Sequence, residues 1–337
     1  MTNAVALAQG ASNNVTMRNR IINGGMTIFQ RGASVTSSGY FVDRWAYYAS
    51  QASKGTANQS STAPAGFVNS SIFTSSSAYS VGSGDYFFLQ QWIEGYNIAD
   101  LGWGTANAKT VTLSFQVYSS LTGTFGGSLK NDAGTRSYPF TYTISSANTW
   151  TSISITVVGD TTGTWLTTNG GGIGVQFGLG VGSSFASTAG SWAAGSYFSA
   201  TGAVSVVGTS GATWYVTGVQ LEAGTTASPF EYRQYGTELV LCQRYYQQLY
   251  FENIPCYRGN SSSTGAWQSN LPWLVQLRTT PTITFPNYST GAGGTPTAAT
   301  GTAIYGVGTN SVRVTGGTIS ANTIYELAIQ ANISAEL

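Results

Sequence analysis

Short runs in which every second residue is apolar decide the fold class of this 337-residue chain. Val111, Leu113, Phe115 and Val117 alternate with Thr112, Ser114 and Gln116, a period of two that gives a strand one apolar and one polar face. Ile153, Ile155 and Val157 repeat the pattern after Trp150. Ile173, Val175, Phe177, Leu179 and Val181 repeat it with Gly174, Gln176, Gly178 and Gly180 in between, and Tyr215, Thr217, Val219 and Leu221 close the series. Glycines at alternate strand positions predict bulges or the close approach of another segment. Clusters of Gly, Ser, Thr and Asn separate the runs, as in a sandwich or barrel. Composition agrees, with 43 Gly, 20 Tyr, 15 Phe and 9 Trp against 7% charged residues. Turn and strand formers are plentiful while Lys and Glu, which favour helices, are scarce, so the expected class is all-β.

The charge inventory removes whole classes of function. With 13 basic and 12 acidic side chains the formal net charge is +1, so no basic field is present to attract nucleic acid or an anionic membrane surface. No histidine occurs, which excludes Ser-His-Asp, Cys-His and HExxH chemistry and the commonest nitrogen ligand for transition metals. P-loop, GxGxxG and GxSxG patterns are missing as well. No apolar run approaches the roughly 18 residues of a membrane helix, and the opening MTNAVALAQGASNN lacks the charged start of a secretory signal. Glycan cleavage survives, because it needs only two carboxylates. Glu94 with Asp100, and Glu222 with Glu231, each flank a turn; either pair serves such chemistry or simply caps turns and pairs with arginines. No catalytic residue and no cofactor is expected; one or two of these acids plus loop carbonyls could hold calcium, which needs no histidine.

Along the chain, residues 1–17 are small, polar and aperiodic and read as an arm; 18–233 carry the alternating runs. Within 234–249, Tyr235, Leu239, Cys242, Tyr246 and Leu249 recur at spacings of four and three, the stripe of a short connecting helix. That helix either lies across an open end of the sandwich or meets two further copies at a three-fold axis. Residues 250–337 form a second, small β region, with strands expected over 281–285, 303–307, 311–315 and 324–330. There Tyr250, Tyr257, Trp267, Trp273, Tyr288 and Tyr305 stand among Asn260 and Asn270. Aromatic platforms beside amides suit a neutral glycan; they equally suit trimer packing. Trp45, Trp92, Trp103, Trp150, Trp165 and Trp214 adjoin strand patterns and are expected in the core. Cys242 and Cys256 are expected to remain thiols.

Two strings carry a resemblance. RNRIINGGMTIFQRGASVTSSGYFVDRWAY (18–47) and WYVTGVQLEAGTTASPFEYRQYGTELVLCQRYYQQ (214–248), with SYPFTYTISSANTWTSISITVVGDTTGTW (137–165) between them, resemble bacteriophage and prophage virion proteins of the tail-fibre or carbohydrate-binding-module-like type. The resemblance implies an antiparallel jelly-roll β-sandwich over 18–233, on a phage particle and in a homotrimer assembled in the host cytoplasm, and it transfers no catalytic residue. The expected role is therefore a tail-fibre or tail-tip receptor-binding protein. Its 1–17 arm would dock to other virion proteins, and the aromatics after residue 248 would hold host cell-surface polysaccharide. A purely architectural component and a glycan depolymerase are the rival readings.

Overall fold

Each alternating run folds as a strand, and over 111–117, 153–157 and 173–179 its apolar parity turns toward a shared interior; the run from Tyr215 to Leu221 departs from this, because Trp214 and Val216 turn inward in place of Tyr215 and Thr217 and a bulge after Thr217 switches the parity before Val219 and Leu221. The computed structural model describes residues 17–256, 265–292, 303–307, 311–319 and 325–337, with side chains over 17–250, 272–284, 311 and 331–337. The chain divides into two units, residues 1–234 and 235–337.

In chain order the first unit contains β1 (Gly39–Tyr40), β2 (Ala46–Ala49), β3 (Gly55–Ser60), β4 (Ser70–Ser75), β5 (Tyr86–Glu94), β6 (Val111–Ser119) and β7 (Gly123–Lys130). These are followed by β8 (Arg136–Ile144), β9 (Thr151–Val157), β10 (Gly171–Val181), β11 (Ala186–Ser187), β12 (Ala193–Ala194), β13 (Ser199–Ala200) and β14 (Thr213–Ala223). One sheet has the order β1-β2-β5-β10-β7-β8-β12, the facing one β3-β4-β14-β6-β9, and both are antiparallel. Strands pass repeatedly from one sheet to the other along the chain. This is a jelly-roll sandwich, as the sequence implies.

Its interior is aromatic. Trp45, Tyr47, Phe73, Phe87, Phe115, Phe125, Phe177 and Trp214 are fully or almost fully buried, each such side chain contributing roughly 1.5–3 kcal/mol of transfer free energy. Both central indoles find acceptors: Trp45 donates to Asn23 O at 3.2 Å and Trp214 to Tyr142 Oη at 3.1 Å. Trp103 and Trp165 are buried too. Trp92 and Trp150 correct the expectation of six core tryptophans, for both are half-buried. Their parity explains it. Inward positions are Leu89 and Ile93 on β5, and Val157 on β9, so 92 and 150 fall on the opposite, outer faces.

The two resembling strings interlock. Asn19 Nδ2 donates to Val219 O at 3.1 Å, Leu221 N to Asn19 Oδ1 at 3.1 Å and Arg20 N to Leu221 O at 2.9 Å. Arg18 reaches Pro229 O, and Arg233 donates to Ile21 O and Asn19 O. The strings thus fasten the start of the sandwich to its last strand.

The second unit opens with α1 (Tyr235–Gln243) and continues through β15 (Tyr246–Cys256), β16 (Gly265–Pro272), β17 (Thr282–Ala292), β18 (Ala303–Val307), β19 (Ser311–Ile319) and β20 (Tyr325–Ser334). They form two three-stranded sheets, β15-β20-β17 and β16-β19-β18. The helix stops six residues short of the expected 249. From Tyr246 the chain pairs instead with β20, Tyr246 opposite Ser334 and Leu249 opposite Ala331, because the Tyr- and Phe-rich YYQQLYF has strand preference as well as helical spacing. The five-residue stripe consequently makes no single outer face. Tyr235 is 65% exposed and Leu239 half-buried, while Cys242, Tyr246 and Leu249 are buried within the unit.

Candidate functional site

The outer face of the five-stranded sheet follows from the same parity. On β6 it presents Ser114, Gln116 and Tyr118; on β9, Ser152, Ser154 and Thr156; on β14, Tyr215 and Thr217. Register aligns them in rungs, Ser114 beside Ser154 and Gln116 beside Ser152. Gln116 Nε2 donates to Ser152 Oγ at 2.8 Å, and that hydroxyl lies 3.1 Å from Gln116 Oε1. Next along the strands, Tyr215 stands opposite Tyr118, with ring centroids 5.0 Å apart, and Trp150 lies 5.5 Å from Tyr118.

A bulge on β14 between Thr217 and Gln220 shapes the wall beside these rungs. Gly218 there has φ +62°, a conformation other residues adopt only with strain. Its missing side chain makes room for Phe67, whose Cζ lies 2.6 Å from where a Cβ would sit. Phe67 packs on Phe230 at 5.1 Å and on Tyr232 at 5.6 Å. Tyr232 fixes its hydroxyl to Gly66 O at 3.0 Å but leaves 63% of its surface in solvent.

The result is an open cleft of about 420 Å³, with Ser114, Gln116, Ser152 and Ser154 as floor and Phe67, Pro229, Phe230 and Tyr232 as wall. None of its lining residues is charged. Burial, followed by the influence of Tyr118, pushes the Tyr215 phenol above its ordinary value, so this ring beside the cleft is also uncharged at neutral pH. Hydroxyls and an amide facing aromatic planes suit a ligand with apolar faces and a hydroxylated rim.

Of the carboxylates raised by the sequence, Glu222, Glu231 and Asp100 are engaged in hydrogen bonds and ion pairs. Glu222 accepts from Gln220 Nε2, Ser228 N and Ser228 Oγ at 2.6–2.8 Å, and Arg18 lies 3.7 Å away. Glu231 accepts from Asn19 N at 2.6 Å and faces Arg233. Asp100 pairs with Arg20 at 2.7 Å, and Glu94 is buried. Among the described residues no three Asp, Glu, Cys or His side chains gather as a metal site.

Of the glycan candidates in the second unit, Tyr250 is 66% exposed, whereas Trp273 is buried. It sits in the segment between β16 and β17, where it is covered. Trp267 and Asn270 lie on β16, Tyr288 on β17 and Tyr305 on β18, their side chains outside the described set; Tyr257 and Asn260 fall outside the described residues. The cleft itself is not among the sites expected from the sequence. Parity on β6 and β9 was the available signal, since it places the small polar residues together on one outward surface.

No protein-family model matches the chain, and no curated protein matches its sequence. Among solved structures it is similar to the enzymatically active domain of bacteriophage CBA120 tailspike protein 4, at 12% identity and TM-score 0.37, covering 61% of this chain and 22% of that one. A putative sugar-binding protein from Bacteroides thetaiotaomicron aligns at 13% identity and TM-score 0.36, covering 61% of this chain and all of that one. The carbohydrate-binding module TmCBM61, in complex with β-1,4-galactotriose, aligns at 12% identity and TM-score 0.32, over 61% and 99% of the two chains.

Proposed function

We propose that the protein binds neutral glycan in the cleft of the five-stranded sheet and that this binding attaches a phage particle to its host. The observation that carries the reading is the uncharged cleft, with its serine and glutamine floor and its aromatic wall and shelf. A pyranose stacks an apolar face on such rings and spends its hydroxyls on the floor, and exclusion of charge favours hexose and N-acetylhexosamine chains over uronate or sulfated ones. Resemblance of the interlocked strings to virion proteins supports the particle and the tail as its place. A single open site of this kind binds weakly, and copies repeated on a trimer or around a virion raise the apparent affinity by on the order of 100 to 10,000-fold.

This reading moves the glycan from the second unit to the sandwich. Its test is binding of the full chain to neutral and acidic surface polysaccharides, with Trp150→Ala and Gln116→Ala beside it. Selective neutral binding that both substitutions weaken supports it. Binding indifferent to both, or confined to acidic chains, contradicts it.

A further inference from the structure

Most polar groups around the cleft are already engaged within the protein. Gln220 on β14, Ser114 on β6 and Ser154 on β9 share one rung of the outer face. Gln220 Nε2 donates to Glu222 Oε1 at 2.8 Å and to Ser228 O at 3.2 Å, while its Oε1 accepts from Glu231 N at 2.9 Å. Ser228 donates its hydroxyl to Glu222 Oε2 at 2.6 Å, and Gln116 and Ser152 bond each other. Among the described residues no hydrogen bond takes the hydroxyls of Ser114 and Ser154. These two stand side by side on the cleft floor, Ser114 half-buried and Ser154 exposed.

The loop after β14 brings an apolar wall to that floor. Thr112 and Thr156 form the next rung, where Thr112 Oγ1 donates to Gly224 O at 2.9 Å and Thr156 Oγ1 to Thr225 O at 3.1 Å. Pinned there, the loop carries Ala227 into the lining beside Phe67 and Phe230, all three half-buried. None of these three side chains has a hydrogen-bonding atom, so a sugar hydroxyl pressed against them would lose water without a replacement. A methyl group would lose nothing there. Each free serine hydroxyl, in contrast, can both donate and accept. The arrangement suits a substituent that is polar where it leaves the ring and apolar at its tip.

We propose that the cleft selects N-acetylhexosamines over the corresponding hexoses. One serine of the Ser114–Ser154 pair would accept from the acetamido N–H and the other donate to its carbonyl, with the acetyl methyl covered by Phe67, Ala227 and Phe230. The inference rests on the reading that the cleft binds neutral glycan, and narrows that reading to one class of sugar. A deoxy sugar such as fucose also offers a methyl to the wall, but brings no amide to the two hydroxyls.

Saturation-transfer NMR on the full chain tests this with matched pairs: the methyl glycosides of N-acetylglucosamine and glucose, N-acetylgalactosamine and galactose, and N-acetylmannosamine and mannose, then chitotetraose with cellotetraose, and fucose alone. In at least one pair the acetylated member is expected to bind about ten-fold or more tightly than its partner, with the strongest saturation on the acetyl methyl protons. Ser114→Ala and Ser154→Ala are each expected to reduce that preference about three-fold or more. Ser154 is exposed, so Ser154→Ala decides the matter where Ser114→Ala fails to fold. Preference for fucose, saturation strongest on ring protons, or a preference unchanged in folded Ser154→Ala would overturn the proposal. Equal binding within every pair, weakened by Gln116→Ala, would overturn selection by the acetamido group and leave the glycan reading standing. Failure of every neutral sugar to bind would overturn both.

Discussion

Gly218 joins backbone to site at a single residue. Its φ of +62° and the Phe67 ring against it mean that Gly218→Val adds both backbone strain and overlap, an expected loss of roughly 2–4 kcal/mol read as a lower urea midpoint. Asp160 is the other informative residue. Burial pushes its carboxyl up, but the paired bonds from Arg136 at 2.7 and 2.8 Å and those from Thr162 outweigh burial and leave it below the ordinary carboxylate value. A depressed folded pKa contributes stability that is fully present above the unfolded value, near 3.8, and is lost as pH falls through the folded one. Asp160→Asn is expected to cost about 1.5–3 kcal/mol at pH 7 and to flatten the acid limb of stability below about pH 4. Equal acid sensitivity in the variant and the parent would reject that role. At this scale the sequence singled out neither Gly218 nor Asp160, and it placed Trp92 and Trp150 in the core. Trp92 and Trp150 show why: adjacency to a strand says nothing of which face a residue takes, and parity counted from Leu89 or Val157 does.

Among elements, the opening segment and β14 act as one fastening. Arg233 bonds two carbonyls of the opening segment and Glu231, so Arg233→Ala is expected to cost about 1.5–3 kcal/mol. Hydrogen exchange should then quicken first at Ile21 and Leu221, and uniform acceleration across both sheets would contradict a local fastening. Strands were legible because alternation is local. The end of α1 was not, since YYQQLYF satisfies helical spacing and strand preference together, and the choice fell to pairing with β20, some 80 residues away. The bulge at Gly218 was likewise hidden, because it is set by Phe67 from another part of the chain.

For the whole molecule, the division at residue 234 and a cleft lined only by residues of the first unit have a joint consequence. A chain of residues 17–234 is expected to unfold in one cooperative step and to retain glycan binding; a fragment that folds but binds nothing would move the site elsewhere. The all-β class could be read from composition and period, and the sandwich from the resemblance carried by the two strings. The cleft could not, as it draws on residues 67, 114–116, 152–154, 218, 227–230 and 232, which only the folded sheets bring together. The most direct measurement is calorimetric titration of the full chain and of Trp150→Ala and Gln116→Ala with a neutral tetrasaccharide that the parent binds, each variant first matched to the parent by circular dichroism. The expected result is an affinity about ten-fold lower or weaker still in each variant. Parent-like affinity in both folded variants would contradict binding in the cleft.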